Sequence, residues 1–252
     1  SKVKQEKTFA VIIANENYQE EVNVEFALND GMAFREYCVK LLGIPKSNLH
    51  IRKDATLNNM LAEINWMQNI AKAYGAEARF IFYYAGHGMP DESNGTSYLL
   101  PVDGKSNILA TGYSMSRLYA ELNGLNAACV TVLMDACFSG SKRGEGMLAS
   151  ARGVALKAKA EAPKGNMLVM TAAQGSETAY PYKEKKHGLF TYFLLKKLQE
   201  SKGKVTYGDL FDYVKTNVAQ KSVVVNEKSQ TPTIAVSGDL VSTWQGIRLN
   251  ED

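Results

Sequence analysis

The chain has 252 residues, 45% of them hydrophobic and 22% charged, enough for one large domain with a sizeable core. Twenty-nine basic against 26 acidic side chains leave a formal charge of +3, too small a surplus to argue for nucleic acid or a membrane surface as partner. No apolar run approaches the ~18 residues of a membrane helix. No leader-like segment opens the sequence, but Ser1 is not an initiator Met; the compartment stays open between the cytoplasm and, after trimming of a leader, the periplasm or exterior.

Residues 8–14 (TFAVIIA) predict a buried first strand, and 24–42 a helix stopped by Gly43 and Pro45. A short strand over 48–53 and a helix over 57–74, ended by Gly75, come next. Residues 79–85 (RFIFYYA) read as the strongest central strand; a turn-rich segment, 86–96, and a short apolar stretch, 98–102, follow it. A helix over 114–122 leads to a second fully buried strand, 129–136 (CVTVLMDA), and 166–172 (NMLVMTA) forms a third. Helices over 188–200 and 207–221 and a strand at 233–236 complete the pattern. Strands alternating with helices predict an α/β fold, a mostly parallel central sheet with helices on both faces. Residues 139–165 stand apart, rich in Gly and Ala with scattered Lys and Arg. They predict a long exposed loop with some helix around 154–162. With no repeat and no linker, a single domain over 1–252 is the simplest organisation.

Three cysteines, none at metal-ligand spacing, give neither a disulfide framework nor a metal site. Cys38 shares an apolar stripe with Phe34, Leu41 and Leu42 and reads as core, as does Cys129 at the start of its strand. Eight residues of strand separate Cys129 from Cys137 by roughly 26 Å, beyond disulfide reach. Cys137 therefore needs another explanation.

In open parallel sheets ligands bind beyond the carboxyl ends of the strands. His87, within Gly86-His87-Gly88, follows one central strand, and Cys137, within Asp135-Ala136-Cys137-Phe138-Ser139-Gly140, follows another. If the two strands are parallel neighbours, thiol and imidazole emerge on one edge, the arrangement that thiol nucleophilic catalysis requires. Gly86 and Gly88 let the backbone turn beside the imidazole, and the amides of Gly88 and Cys137 could form an oxyanion hole. Either feature alone is also an ordinary packing arrangement; their shared place at strand ends is what points to chemistry. His50 lacks the glycine setting, and His187 lies in a lysine-rich loop where a solvated surface role is expected.

Tyr84-Ala85-Gly86-His87-Gly88 resembles the histidine motif of caspases, metacaspases and bacterial caspase-like peptidases, and Asp135 to Gly140 resembles the metacaspase cysteine motif. The separation of fifty residues is similar to the ~50 of caspases. The caspase signature Q-A-C-[RQG]-G is missing, which favours the metacaspase-like branch. Ala27-Leu28-Asn29-Asp30, Leu100-Pro101-Val102-Asp103, Gly188-Leu189-Phe190-Thr191 and Gln230-Thr231-Pro232 extend the resemblance over about residues 8–237. It implies a caspase-like three-layer sandwich and a cysteine endopeptidase without organic cofactor, probing a peptide or protein substrate as a monomer. No third catalytic residue is evident.

The resemblance also places Asp135 and Asp30 in the pocket of metacaspases that cut after Arg or Lys. A carboxylate two residues before the nucleophile favours a cationic side chain in any case. The structural alternative for both is capping of nearby backbone amides. Ala85 replaces a serine that many metacaspases place in this pocket, which leaves Arg versus Lys open. Asp103 matches one calcium position, but the acids expected further on are replaced around Ser116-Arg117-Leu118-Tyr119, so no calcium requirement is expected. Residues 174–182 correspond to a substrate-binding loop, with Ser176, Glu177 and Tyr180 as candidates. Lys142, Arg143, Arg152, Lys157, Lys159 and Lys164 make the long loop a candidate for self-cleavage, or equally a solvated scatter of charge. The competing readings are a catalytically silent interaction module of the same fold and a caspase-like enzyme that cuts after Asp.

Overall fold

The computed structural model describes residues 4–91, 93, 95–138, 162–175 and 177–250. Three seven-residue runs of apolar, β-branched and aromatic side chains form β1 (Thr8–Ala14), β3 (Arg79–Ala85) and, later in the chain, β7 (Cys129–Asp135). Each is buried along its whole length, as parallel strands covered on both faces are. Between β1 and β3 lie α1 (Ala27–Tyr37), β2 (Leu49–Lys53) and α2 (Leu57–Tyr74). Between β3 and β7 lie three short strands, β4 (Gly88–Pro90), β5 (Ser97–Leu99) and β6 (Tyr113–Ser114), and α3 (Met115–Asn123). After β7 come β8 (Met167–Thr171), the two-residue strands β9 (Pro181–Tyr182) and β10 (His187–Gly188), α4 (Leu189–Glu200), α5 (Tyr207–Asn226) and β11 (Thr233–Val236).

The main sheet has the order β11-β8-β7-β3-β1-β2, with β11 antiparallel to β8 and the other pairings parallel. Alternation along the strands divides the core in two. Ala10, Ile12, Ile81, Tyr83 and Leu133 face the side packed by Phe34 of α1, Leu194 of α4 and Val214 of α5. Phe9, Val11, Ile13, Phe80, Phe82 and Val132 face Met60, Ile64 and Met67 of α2 and Leu118 and Leu122 of α3. This is the expected α/β sandwich. Among the described residues no helix is long and apolar enough to cross a membrane.

Local sequence sets the element ends. Thr56 caps α2 by accepting from the Asn59 amide, and Gly75 stops that helix at φ 57°. Ser114 caps α3 and Thr206 caps α5 in the same way. The first helix begins three residues later than its apolar pattern suggests, because Phe26 takes a left-handed conformation at φ 70° and breaks the run. It also ends earlier, at Tyr37, with a wider turn over Cys38–Leu42 before Gly43 at φ 79°. The last helix runs on to Asn226 instead of ending at residue 221.

Chain order runs from β1 outward to β2 and then back across to β3, so the sheet reverses direction between β1 and β3. The carboxyl ends of those two strands form the crevice where such folds place ligands. At these ends the Asn15 amide that follows β1 donates to the Ala85 carbonyl of β3 at 2.8 Å, and the Gly86 amide that follows β3 donates to the Asp135 carbonyl of β7 at 3.3 Å.

Candidate active site

Parallel pairing of β3 with β7 sets Ala85 opposite Asp135. His87 and Cys137 thus lie two residues beyond the same register pair, on one edge of the sheet. A Cβ added at Gly88 would stand 2.5 Å from both the Cys137 carbonyl oxygen and the Phe138 ring, so only glycine lets the two loops approach this closely. The Leu100 amide donates to the His87 carbonyl at 2.9 Å. Bonded pairs alternate in an antiparallel ladder, which makes Gly88–Leu99 a non-bonded pair and turns the Gly88 amide away from β5. That is the amide assigned to the oxyanion hole.

The imidazole is held from several sides. The His87 N–H donates to Tyr18 Oη at 2.8 Å, and Tyr84 Oη donates to the His87 carbonyl at 2.7 Å. The Tyr18 ring lies 4.7 Å from the imidazole, inclined by 50°. His87 Nε2 is 2.8 Å from the Val22 carbonyl oxygen. A carbonyl only accepts, so Nε2 carries the hydrogen and Nδ1 is the nitrogen that can take a proton. This partner of the imidazole, a backbone carbonyl, has no side-chain signature in the sequence. The loop that supplies it is pinned by Asp54, whose Oδ1 accepts from the amides of Glu16 and Asn17 at 2.9 Å each, and by the Gln19 amide on the Val102 carbonyl at 2.9 Å. Burial pushes the Tyr18 hydroxyl pKa well above the ordinary phenol range, despite its hydrogen bonds to Tyr84 and His87, so it acts as a neutral hydrogen-bonding group.

Cys137 is 4% exposed and His87 8%. The Ala179 amide lies 2.7 Å from Cys137 Sγ and aims its N–H at the sulfur, an arrangement that stabilises negative charge there. Buried Gln230 fixes this segment: its Oε1 accepts from the Tyr180 amide at 2.8 Å and its Nε2 donates to the Ala172 carbonyl at 3.0 Å. Glu177, a candidate substrate contact, accepts from the Thr231 amide at 2.5 Å and the Thr231 hydroxyl at 3.1 Å, tying its loop to the approach to β11. Tyr180 is half-buried, and its hydroxyl is pushed up by burial and by the neighbouring Cys137 and Glu177. Ser176 and residues 139–161 of the long loop lie outside the described residues.

The two candidate pocket carboxylates meet at the start of α4. Fully buried Asp135 accepts through Oδ2 from the Thr191 amide at 3.2 Å and the Thr191 hydroxyl at 2.7 Å. Fully buried Asp30 accepts from the Gly188 amide at 2.9 Å and sits 2.6 Å from His187 Nδ1. Asp135 thus accepts from a backbone amide, as its structural alternative has it, whereas Asp30 lies inside α1 and caps not its own helix but the Gly188 amide at the start of α4. His187 is not a solvated loop residue: its side chain is 18% exposed and lies on Asp30. What hid it is distance in sequence, since its partner stands 157 residues away.

The remaining candidates separate from the site. His50 pairs with Glu63 at 2.6 Å and stacks on Trp66 at 3.9 Å beside the edge strand β2. Cys38 and Cys129 are buried in the core. Asp103 accepts from the Leu57 amide at 3.0 Å and serves the start of α2.

Known proteins agree with this architecture. The sequence matches the family described as Caspase domain over residues 7–239. Caspase-1 from Spodoptera frugiperda superposes with a TM-score of 0.64 at 14% identity, covering 93% of this chain and 88% of its own. Protein GSU0716 from Geobacter sulfurreducens superposes at 0.71 with 19% identity, covering 96% and 98%. No curated protein sequence matches. With the family match spanning nearly the whole sheet and both of the loops that carry His87 and Cys137, the chain belongs to the caspase-domain family, and its kind is that of a caspase-like cysteine peptidase.

Proposed function

We propose that the chain is an endopeptidase that cuts after Arg or Lys, with Cys137 as nucleophile and His87 as acid/base, working as a monomer on a peptide or protein substrate. The observation that carries this reading is the placement of His87 and Cys137 two residues beyond one register pair, with the Val22 carbonyl fixing the imidazole tautomer. The thiol proton passes to His87 Nδ1, and the sulfur adds to the scissile carbonyl carbon. The amides of Gly88 and Cys137 receive the oxyanion. As the tetrahedral adduct collapses, the imidazolium gives its proton to the departing amine, leaving a thioester. Water, deprotonated by His87, attacks that thioester; the acid product leaves and the thiol is restored.

Basic specificity is supported by Asp30 and Asp135 at one helix N-terminus and by where the arginines are. An enzyme that cuts after Asp needs a cation at this position. Arg35 pairs with Glu36, Arg52 with Glu63 and Arg117 with Glu121, and Arg79 donates to the Arg248 carbonyl, all outside the site. Arg143 and Arg152 lie outside the described residues. The segment from Ser139 begins two residues past the nucleophile and carries Lys142, Arg143, Arg152, Lys157 and Lys159, so self-cleavage there belongs to the same reading.

Hydrolysis of fluorogenic peptides ending in Arg, Lys or Asp, with and without calcium, tests the assignment. The expected result is cleavage after Arg or Lys, independent of calcium and lost in Cys137→Ala. Cleavage after Asp alone would overturn the specificity. Silence on every peptide, also after a nick within 139–161, would favour the interaction-module reading. Purified Cys137→Ala that is still nicked would overturn self-cleavage.

A further inference from the structure

The hydrolytic steps make no use of the Asp30–His187 pair, yet it controls the carboxylate assigned to the substrate's cation. Both oxygens of Asp30 are engaged, Oδ1 by His187 Nδ1 at 2.6 Å and Oδ2 by the Gly188 amide at 2.9 Å. The carboxylate is fully buried, whereas the His187 side chain is 18% exposed, so the imidazole lies between Asp30 and solvent. Asn29 Nδ2 donates to the Lys186 carbonyl at 2.5 Å and fixes the backbone just before the histidine. A guanidinium or ammonium reaches full hydrogen bonding with a carboxylate only where an oxygen lone pair is available to it. The Gly188 amide belongs to the helix start and stays; the imidazole hangs on a rotatable side chain and can leave.

We infer that His187 is a specificity-determining residue: it occupies the cation seat on Asp30 in the free enzyme, and the basic side chain of a substrate binds by displacing it. This rests on the reading of Asp30 and Asp135 as the cation-binding pair. Displacement is a cost met on binding and carried equally into the transition state, so it raises KM without lowering kcat. A purely structural His187 would instead support the fold of the β9–β10 hairpin, and its loss would reduce kcat or thermal stability with no gain in binding.

Steady-state kinetics on Arg and Lys peptides with the full chain, and inhibition by agmatine, a guanidinium without a peptide, separate the two. In His187→Ala we expect KM for the Arg peptide and the agmatine inhibition constant to fall together, roughly three- to tenfold, with kcat moving less than about twofold. His187→Asn, whose amide nitrogen stands where Nδ1 stood, is expected to return both toward the parent values. An unchanged or raised KM in His187→Ala, with cleavage after Arg intact, would overturn the inference alone. Parent enzyme that neither cleaves after Arg or Lys nor binds agmatine would overturn the basic-specificity reading and this inference with it. A measurement on the parent protein needs no folded variant: agmatine should shift the His187 imidazole nitrogen resonances, and resonances unmoved at saturating agmatine would refute displacement.

Discussion

Tyr18 Oη accepts the His87 backbone N–H while Tyr84 Oη donates to the carbonyl of the same residue, so the two peptide units that flank the His87 Cα are each held by a hydroxyl. Tyr18 also lays its ring beside the imidazole, and Val22 of the same loop receives Nε2–H. Tyr18→Phe keeps the ring and strands the buried His87 amide, a loss of about 1–3 kcal/mol in stability. Because the imidazole then loses its fixed aim, kcat should fall about tenfold with KM nearly unchanged, a split that steady-state kinetics reads directly. His87→Ala removes the proposed proton carrier and should cost roughly 10²–10⁴ in kcat/KM. At this scale His87 and Cys137 were legible because each is a reactive side chain at a strand end with glycines around it. Their partners were not: the Val22 carbonyl and the Ala179 amide are backbone groups that any residue would supply.

Helix α1 lies so close on β1 that a Cβ at Gly31 would stand 2.6 Å from the Ala14 Cβ. Gly31→Ala must push the helix off the strand, and overpacking of this kind destabilises by about 1–3 kcal/mol. Asp30 is the preceding residue, so the same shift should raise KM for basic substrates; denaturant unfolding and kinetics check the two effects. The long elements were readable from their patterns, because seven consecutive buried residues or several turns of amphipathic helix average over local exceptions. Phe26 is such an exception: its left-handed backbone is imposed by the loop, where the Val24 amide donates to the Glu16 carbonyl at 3.0 Å and the Leu28 amide to Glu16 Oε2 at 3.0 Å. The short strands β4, β5, β6, β9 and β10 span two or three residues each, too few for alternation to show. They are nonetheless what brings the Gly88 amide and His187 to the site.

Across the whole molecule, four tyrosine hydroxyls tie the layers together. Tyr18 and Tyr84 meet beneath the loop that carries His87 at 3.4 Å, Tyr113 donates to Glu121, and Tyr207 of α5 bonds Thr131 of β7. Burial holds the pKa of each well above the ordinary phenol value. In the unfolded chain these phenols ionise near pH ~10. Their folded-state pKa values are raised, so the stability they contribute is complete below that pH and declines as pH rises toward the folded values. Spectrophotometric titration should therefore leave these four of the thirteen tyrosines un-ionised in native protein above pH ~10.5. They should appear only as the protein unfolds; ionisation of all thirteen before unfolding would contradict this. The fold's frame was legible in the alternation of strands and helices. The acidic site was legible only as two candidate residues, because Asp30, Asp135, His187 and Thr191 converge through the tertiary packing of α1 and α4.

The location of a covalent adduct tests directly whether Cys137 is the nucleophile. A peptidyl-arginyl chloromethyl ketone alkylates a nucleophilic thiolate by displacement of chloride, and peptide mass spectrometry identifies the sulfur modified. A single adduct is expected on Cys137, with labelling slowed in His87→Ala and prevented by a competing Arg peptide. Adducts on Cys38 or Cys129 with Cys137 untouched, or hydrolysis of Arg peptides that survives in Cys137→Ala, would contradict it.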